Sequence, residues 1–157
     1  RIESMQSMVG TTAAAWNDPA KGGELARAQF DRGVDVVFAV AGGSGMGTLQ
    51  MAKEKGKLGI GVDSNQNYLH PGSMLTSMVK RVDLAIYDSF KQIQNGTWKA
   101  GVTHRGLKEG GVDWVLDKDN RMVVTPAIEK KVNETKANII NGKIKVVDYR
   151  VAGSCPV

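Results

Sequence analysis

The chain has 157 residues, a formal net charge of +5, and 41% hydrophobic, 24% charged and 6% aromatic residues, which is typical of one ordinary globular domain. Its basic residues are dispersed rather than gathered in blocks of five or more, and aromatic residues are few, so the composition argues against nucleic-acid binding. No apolar run approaches the roughly 18 residues of a membrane helix, and the single cysteine, Cys155, forms neither an internal disulfide nor a cysteine-based metal site.

The first third of the chain predicts a short strand, a loop and a helix. Residues 4–9 (SMQSMV) are typical of a strand. Asn17 or Asp18 is a suitable N-cap, Pro19 suits the first helical position, and Gly33 suits the residue after the helix. The side chains expected to form the buried face of this helix are Leu25, Ala26, Ala28 and Phe30.

The middle of the chain alternates between strands and helices. Residues 34–41 (VDVVFAVA) form an almost continuous valine-rich run, typical of a strand buried on both faces of a parallel sheet. The elements predicted after it are a glycine-rich loop at 42–47, a helix at about 46–54, a strand at 58–62, a polar turn-rich loop and a strand at 73–79.

The last part of the chain predicts two helices separated by short β-like segments. Apolar residues recur at three- and four-residue spacing over 81–95, which predicts an amphipathic helix that Gly96 ends. Segments 101–107 (GVTHRGL) and 111–116 (GVDWVL) are β-like. The final predicted helix has Thr125 as N-cap, Pro126 at its first position and Gly142 as its stop signal, and residues 143–149 (KIKVVDY) close the ordered part.

This alternation predicts an α/β fold with a parallel sheet, right-handed crossovers and helices on both faces. Ligands of such sheets lie beyond the carboxyl ends of the strands. Three predicted loops fall at that edge, at residues 16–18, 42–47 and 63–66. We therefore expect the ligand site where these three loops converge.

The glycine-rich loop does not match the two common phosphate-binding motifs. Its glycines do not give the G-x-G-x-x-G spacing, and although Gly42 and Gly47 have the spacing of a P-loop, the lysine of that motif is missing. Two interpretations stay open. Either the backbone N–H groups before the helix admit a ligand close to the main chain, or the loop is a tight turn that requires small residues.

Three side chains at the same edge suit a ligand made of a base and a sugar. Trp16 can stack on a planar ring, or can instead be a core residue. Asp63 follows a strand directly and can accept hydrogen bonds from two adjacent hydroxyls, although a turn-forming aspartate is the alternative. Lys80 can donate to the same hydroxyls or neutralise Asp63, and its alternative is an ordinary surface lysine.

Catalysis finds little support in the sequence. The only histidines, His70 and His104, have no metal-ligand spacing, and we expect them to be solvated or hydrogen-bonded. There is no G-x-S-x-G elbow and no credible Cys–His pair. We expect no cofactor and no enzyme, with a small α/β enzyme left as an alternative.

Three segments resemble the basic membrane protein family: ELARAQFDRGVDVVFAVAGGSGMGTLQMAKEKGKLGIGVDSNQ, MLTSMVKRVDLAIYDSF and GLKEGGVDW. This family comprises substrate-binding proteins of ABC importers that are related to the purine nucleoside receptors of spirochaetes. The resemblance covers roughly residues 16–145 and implies one lobe of a type I periplasmic-binding-protein fold. Such proteins are about twice this length, which would make this chain the C-terminal half.

The resemblance also implies how the chain is divided and what it binds. Residues 1–80 would form the C-terminal lobe, and residues 81–100 would return to a missing N-terminal lobe. Trp16, at a position where relatives carry Phe, would stack the base, Asp63 and Lys80 would hold the ribose, and Gly42 and Gly43 would give close main-chain approach.

Those features imply an ABC-transporter solute-binding protein in the periplasm, or a lipoprotein at the cell surface anchored outside this chain. Its partners would be a purine nucleoside, a membrane permease and the missing half. A ligand-sensing regulatory module of the same fold and a riboflavin receptor stay open as alternatives.

Overall fold

The computed structural model describes residues 3–154, and its centre is one four-stranded sheet. Strands β1 (Val36–Phe38), β2 (Leu58–Asp63) and β3 (Met74–Lys80) run parallel, and β4 (Val112–Trp114) pairs antiparallel with β3. The helices are α1 (Pro19–Asp31), α2 (Gly45–Glu54), α3 (Val82–Gln94), α4 (Pro126–Ile140) and the short α5 (Tyr149–Ala152), with 3-10 turns at Ala13–Asn17, Gly42–Ser44 and Asn67–Leu69.

The helix boundaries follow from local signals in the sequence. The Asp18 carboxylate accepts a hydrogen bond from the Lys21 backbone N–H at 2.9 Å, with Pro19 at the first helical position of α1. The Thr125 hydroxyl caps α4 in the same way. Gly142 follows α4 with φ of 72°, a backbone conformation that favours glycine. These predictions are confirmed.

The core lies between the sheet and the pair α1–α2. Buried Val37 of β1 packs in one cluster with Ala26 and Phe30 of α1 and with Met51 and Ala52 of α2. A second cluster joins Ala39, which directly follows β1, to Leu49 of α2 and Met74 of β3. Helices α1 and α2 therefore pack on the face of β1 that carries Val37.

Glycines allow α1 and α2 to approach each other closely. A Cβ atom added to Gly22 of α1 would clash with the Ser44 carbonyl oxygen, and one added to Gly47 of α2 would clash with the Pro19 carbonyl oxygen. Backbone therefore packs directly on backbone at this helix pair, which brings the loop before α1 next to the loop before α2.

The predictions for β1 and for residues 4–9 are wrong in this chain. Strand β1 has three residues rather than eight, and Val36 and Phe38 are 39% and 51% exposed, so it is not buried on both faces. Residues 4–9 form no strand. Together with β1 they line a groove of about 600 Å³, and without a paired neighbour an extended segment satisfies no ladder hydrogen bonds.

Two further predictions need correction. In α1, Ala28 is exposed and Leu25 is only half-buried, so the buried face of this helix is narrower than the sequence indicated. Segment 101–107 forms no strand, and of the two β-like segments only the second contributes one, as β4. Cys155 lies outside the described residues.

Helices α3 and α4 contribute no fully buried residue. The apolar side chains that α3 leaves exposed are Val82, Ile86, Tyr87, Phe90 and Ile93. No helix within residues 3–154 is long and apolar enough to cross a membrane.

Candidate functional site

The site is built at the carboxyl edge of the parallel strands. Strand β2 ends at Asp63 and β3 ends at Lys80, and the register pairs Asp63 with Val79. Strand β1 ends beside them and leads into the glycine-rich loop. The loops that follow these strands therefore begin at one edge of the sheet, as the sequence predicted.

Buried Ser44 joins the tryptophan loop to the glycine-rich loop. Its hydroxyl donates to the Ala15 carbonyl oxygen at 2.6 Å and accepts from the Asp18 backbone N–H at 2.7 Å. The side chain is fully buried. Since it satisfies one backbone group on each side of Trp16 and Asn17, it fixes the 3-10 turn that carries Trp16.

Trp16 lies against the glycine-rich loop and is 61% exposed, so it is not a core residue. A Cβ atom added to Gly42 would lie 3.1 Å from the Trp16 carbonyl oxygen and 3.4 Å from the indole Cε3. At Gly43 it would lie 3.1 Å from Asn17 Oδ1. Gly42 also has φ of 54°, so packing within the chain already requires small residues in this turn.

Helix α2 begins directly after this turn, and no side chain caps its N-terminus. The hydroxyl of Ser44, the residue before the helix, is engaged with Ala15 and Asp18 instead. The first N–H groups of an α-helix lack partners within the helix. The turn therefore combines small residues with backbone donors, a combination that suits a polar ligand group.

Asp63 and Lys80 form an ion pair at the same edge. Lys80 Nζ lies 2.6 Å from Asp63 Oδ1, with the side chains 57% and 52% exposed. Asp63 has φ of 70° and is the one non-glycine residue with positive φ in the described part of the chain. The left-handed conformation costs such a residue about 1–2 kcal/mol, and strain of this kind clusters at ligand sites.

A buried polar network supports the loop that follows Asp63. Gln66 Oε1 accepts from the Val62 N–H at 2.9 Å, and Ser77 Oγ accepts from the Gln66 N–H at 3.0 Å. The Ser77 hydroxyl donates to Asn67 Oδ1 at 2.8 Å. Asn67 and Ser77 are fully buried, so this network fixes the loop to β3.

The structure thus groups the five predicted residues into two contact sets along one edge: Trp16 with Gly42 and Gly43, and Asp63 with Lys80. Sequence analysis missed the residues that hold these sets in place. They are Ser44, Gln66, Asn67 and Ser77. The run of amide side chains after Asp63 was a signal for a hydrogen-bonded loop, whereas nothing local distinguished Ser44.

The histidines differ from the expectation in one respect. His70 Nδ1 is buried and has no hydrogen-bond partner, and the pKa of His70 is lowered, chiefly by burial and also by the nearby Lys53. His104 is exposed. Within residues 3–154, no group of three His, Cys, Asp or Glu side chains could hold a metal ion.

Comparison with known proteins decides the family. Residues 6–149 match the family described as ABC transporter substrate-binding protein PnrA-like. The chain belongs to this family. Basic membrane protein D of Borreliella burgdorferi is 36% identical over 149 residues, which cover 92% of this chain and 42% of that protein.

Two further relatives match over similar or shorter stretches. The ABC transporter nucleoside-binding protein BmpA of Lactococcus lactis is 34% identical to this PnrA-like chain over 152 residues, which cover 85% of the chain and 42% of the relative. An uncharacterized lipoprotein of Pyrococcus abyssi is 36% identical over 109 residues, which cover 65% of the chain and 27% of the relative.

The fold has a counterpart among solved structures. An ABC transporter solute-binding protein of Aeropyrum pernix K1 superposes with a TM-score of 0.70 at 26% identity, over 84% of this PnrA-like chain and 45% of that chain. The predicted α/β periplasmic-binding fold is confirmed. The chain spans less than half the length of these relatives.

Proposed function

We propose that this PnrA-like chain is the C-terminal half of a two-lobe binding protein that takes up a purine nucleoside and delivers it to an ABC permease. The observation that carries the proposal is the exposed Asp63–Lys80 pair at the ends of β2 and β3. A carboxylate with free acceptor positions can bind two adjacent hydroxyls, and the ammonium beside it can donate to the same oxygens. The sugar of a nucleoside, ribose, carries two such adjacent hydroxyls.

Trp16 supplies the surface for the base in this proposal. Its indole is exposed yet fixed at its backbone, because Ser44 holds the turn and the glycine-rich loop packs against it. A planar purine can stack on such a ring. The backbone donors at the start of α2 complete a site with an aromatic surface, a carboxylate and polar main chain.

The exposed apolar face of α3 is evidence for the proposed second lobe. Ile86, Phe90 and Ile93 lie at three- and four-residue spacing and are all more than half exposed. Contiguous apolar surface of this extent marks a docking surface. Relatives are more than twice as long as the segment this chain matches, and we propose that the unmatched part covers α3, with residues 81–100 returning to it.

Binding without catalysis is the activity that family membership supports. A ligand enclosed between two lobes by hinge closure needs groups that recognise it rather than groups that react. The lipoprotein among the relatives supports an extracytoplasmic location, periplasmic or anchored at the cell surface.

Calorimetry on the intact protein that contains this chain tests the proposal, with adenosine, guanosine, inosine and riboflavin as ligands. Asp63→Ala should weaken nucleoside binding by about tenfold or more, since hydrogen bonds to charged groups contribute about 1.5–3 kcal/mol. The matched control is Asp35→Ala, which removes an exposed aspartate paired with Lys57 at the opposite end of the sheet.

Nucleoside binding that only Asp63→Ala weakens would support both the ligand class and the site. Binding of riboflavin alone, or of none of the four compounds, would contradict the purine nucleoside assignment. Chromatography of the bound nucleoside after several hours should recover it unchanged, and a hydrolysed base would contradict binding without catalysis.

A further inference from the structure

Asp117 lies shortly after β4 and contacts the loop that follows Asp63. Its Oδ2 accepts from Asn65 Nδ2 at 2.7 Å and from Asn67 Nδ2 at 3.2 Å, and its Oδ1 accepts from the Asp119 N–H at 2.9 Å. Asp117 lies 52 positions after Asn65 and 50 positions after Asn67 in the sequence. One carboxylate therefore joins the segment after β4 to the loop after β2.

The segment that carries Asp117 is itself fixed to β3. The Asp117 N–H donates to Asn120 Oδ1 at 2.8 Å, and Asn120 Nδ2 donates to the carbonyl oxygens of Leu75 and Val115 at 3.0 and 2.9 Å. Asn120 is fully buried. The Asp117 carboxylate is thus held on a rigid base rather than on a free loop.

A series of hydrogen bonds connects Asp117 to Val62, the residue before the left-handed Asp63. Asn67 Oδ1 accepts a hydrogen bond from the Ser77 hydroxyl. The Ser77 hydroxyl oxygen accepts from the Gln66 N–H, and Gln66 Oε1 accepts from the Val62 N–H. Val62 immediately precedes Asp63. Both ends of the turn that contains Asp63 are therefore fixed by the same network.

The ionised carboxylate of Asp117 suits the hydrogen bonds that it accepts. Burial, the largest single influence, raises the pKa of Asp117, but the hydrogen bonds from Asn65, Asp119, Asn67 and Asn120 outweigh it and leave the pKa below its ordinary value. Asp117 is then an acceptor towards every donor around it, and each amide N–H has a partner.

We propose that Asp117 is a positioning residue for the ligand site: it holds the loop 64–67 so that Asp63 keeps its left-handed backbone and its carboxylate stays beside Lys80. The role rests on the proposed function of Asp63. An aspartate with positive φ returns to an ordinary backbone conformation unless surrounding contacts hold it. Preorganised acceptors bind a ligand more tightly because less ordering remains to be done on binding.

The test compares Asp117→Asn with Asp119→Asn in the intact protein. Asp117→Asn sets an amide against the donors of Asn65 and Asn67. Asp119 lies in the same turn, and its carboxylate accepts from the exposed Lys118 instead. NMR of aspartate-labelled protein reports the Asp63 backbone without any ligand. We expect Asp117→Asn to shift the Asp63 signals away from left-handed values and Asp119→Asn to leave them unchanged.

Calorimetry with inosine or adenosine adds a double-mutant cycle with Asp63→Ala. Asp117→Asn should weaken binding about tenfold when Asp63 is present and less than about twofold when it is absent, because Asp117 acts through Asp63. Equal weakening in both backgrounds, or an unchanged Asp63 backbone, would overturn the proposal. A role limited to general stability would give such equal weakening.

A second variant keeps the test decisive if Asp117→Asn does not fold. Asn65→Ala changes an exposed residue and removes one donor to Asp117 together with the acceptor of the Asn67 backbone N–H. It keeps the Asp117 carboxylate and the Ser77 contacts with Gln66 and Asn67, so it should produce smaller changes of the same kind. Failure of the wild-type protein to bind any nucleoside would contradict the proposed function alone, because the NMR measurement decides the positioning role without ligand.

Discussion

Lys80 Nζ lies 2.6 Å from Asp63 Oδ1 across the ends of two neighbouring parallel strands, and Asp63 holds its carboxylate there from a left-handed backbone. An ion pair this exposed stabilises a fold by at most about 1 kcal/mol. The left-handed conformation costs about 1–2 kcal/mol. The arrangement therefore gives little net stability, which agrees with the ligand site proposed here.

Replacing Asp63 by glycine and by alanine separates strain from charge. Both variants lose the carboxylate, but glycine adopts φ of 70° freely, so Asp63→Gly should be more stable than Asp63→Ala by about 1 kcal/mol in urea unfolding. The order should reverse at exposed Gln50 in α2, where Gln50→Gly should be the less stable by about 1 kcal/mol. Equal stability of the two Asp63 variants would show that the backbone there is unstrained.

Removing the Ser44 hydroxyl should destabilise the protein and loosen the Trp16 turn. Ser44→Ala leaves the Ala15 carbonyl oxygen and the Asp18 N–H without their partner, at a cost of about 1–3 kcal/mol in the free energy of unfolding. The matched control is Ser89→Ala on the exposed surface of α3, which should change stability by less than about 0.5 kcal/mol. Tryptophan fluorescence anisotropy, measured with Trp98→Phe and Trp114→Phe present so that only Trp16 emits, should fall in Ser44→Ala, and an unchanged value would contradict the fixing role.

Helix caps and short hydrophobic runs depend on neighbouring residues alone, so the elements that they define could be predicted from sequence. The caps Asp18 and Thr125 start α1 and α4 where the sequence placed them. The hydrophobic runs at 58–62 and 73–79 predicted strands that end directly before Asp63 and Lys80, and in the structure these two residues are the last of β2 and β3. The two residues could therefore be expected at the same edge of the sheet from sequence.

Features that depend on distant contacts could not be predicted in this way. Residues 4–9 have the composition of a strand, yet they have no pairing neighbour in the described chain. Asp117 reaches the Asp63 loop across 50 residues, and Ser44 reaches Ala15 across 29. No window of sequence contains both members of such a pair. For α3, periodicity predicted the apolar face but not that it stays exposed.

A methyl group at Gly47 should separate α1 from α2. The Cβ atom of Gly47→Ala would clash with the Pro19 carbonyl oxygen, which is backbone and cannot rotate away. Overpacking of this kind costs about 1–3 kcal/mol or more in the free energy of unfolding. Gln50→Ala, at an exposed position of the same helix, provides the control and should stay within about 0.5 kcal/mol of wild type in urea unfolding. Wild-type stability of Gly47→Ala would show that the helices do not pack backbone to backbone.

His70 should make the fold sensitive to mild acid. Its pKa in the folded protein lies below the ordinary value of 6.5, so below about pH 6.5 the unfolded chain binds more protons than the folded one. The contribution of His70 to the free energy of unfolding is therefore fully present above pH 6.5. It is lost as the pH falls through the pKa of His70 in the folded protein. The pKa of Asp117 is also lowered, but its ordinary value is 3.8, so this carboxylate changes the free energy of unfolding only at more acidic pH.

Urea unfolding at pH 7 and pH 5 measures this effect. Wild type should lose more stability over that interval than His70→Phe, which removes both the titrating group and the unpaired Nδ1. His104→Phe removes the other histidine of the chain and should retain the acid-sensitive loss. If His70→Phe and wild type lose equal stability, another group is responsible.

Charge placed on the apolar face of α3 should disrupt the intact protein if the proposed second lobe docks there. Phe90 is 68% exposed in this chain, and if the second lobe covers it, Phe90→Glu buries an unpaired carboxylate there and should lower the free energy of unfolding by more than about 2 kcal/mol. Gln92→Glu adds the same charge at another exposed position of α3 and should have little effect. Calorimetric melting of the intact protein compares the two variants. Equal melting temperatures would mean that no lobe docks on this face, and the assignment of residues 81–100 to a second lobe would then fail.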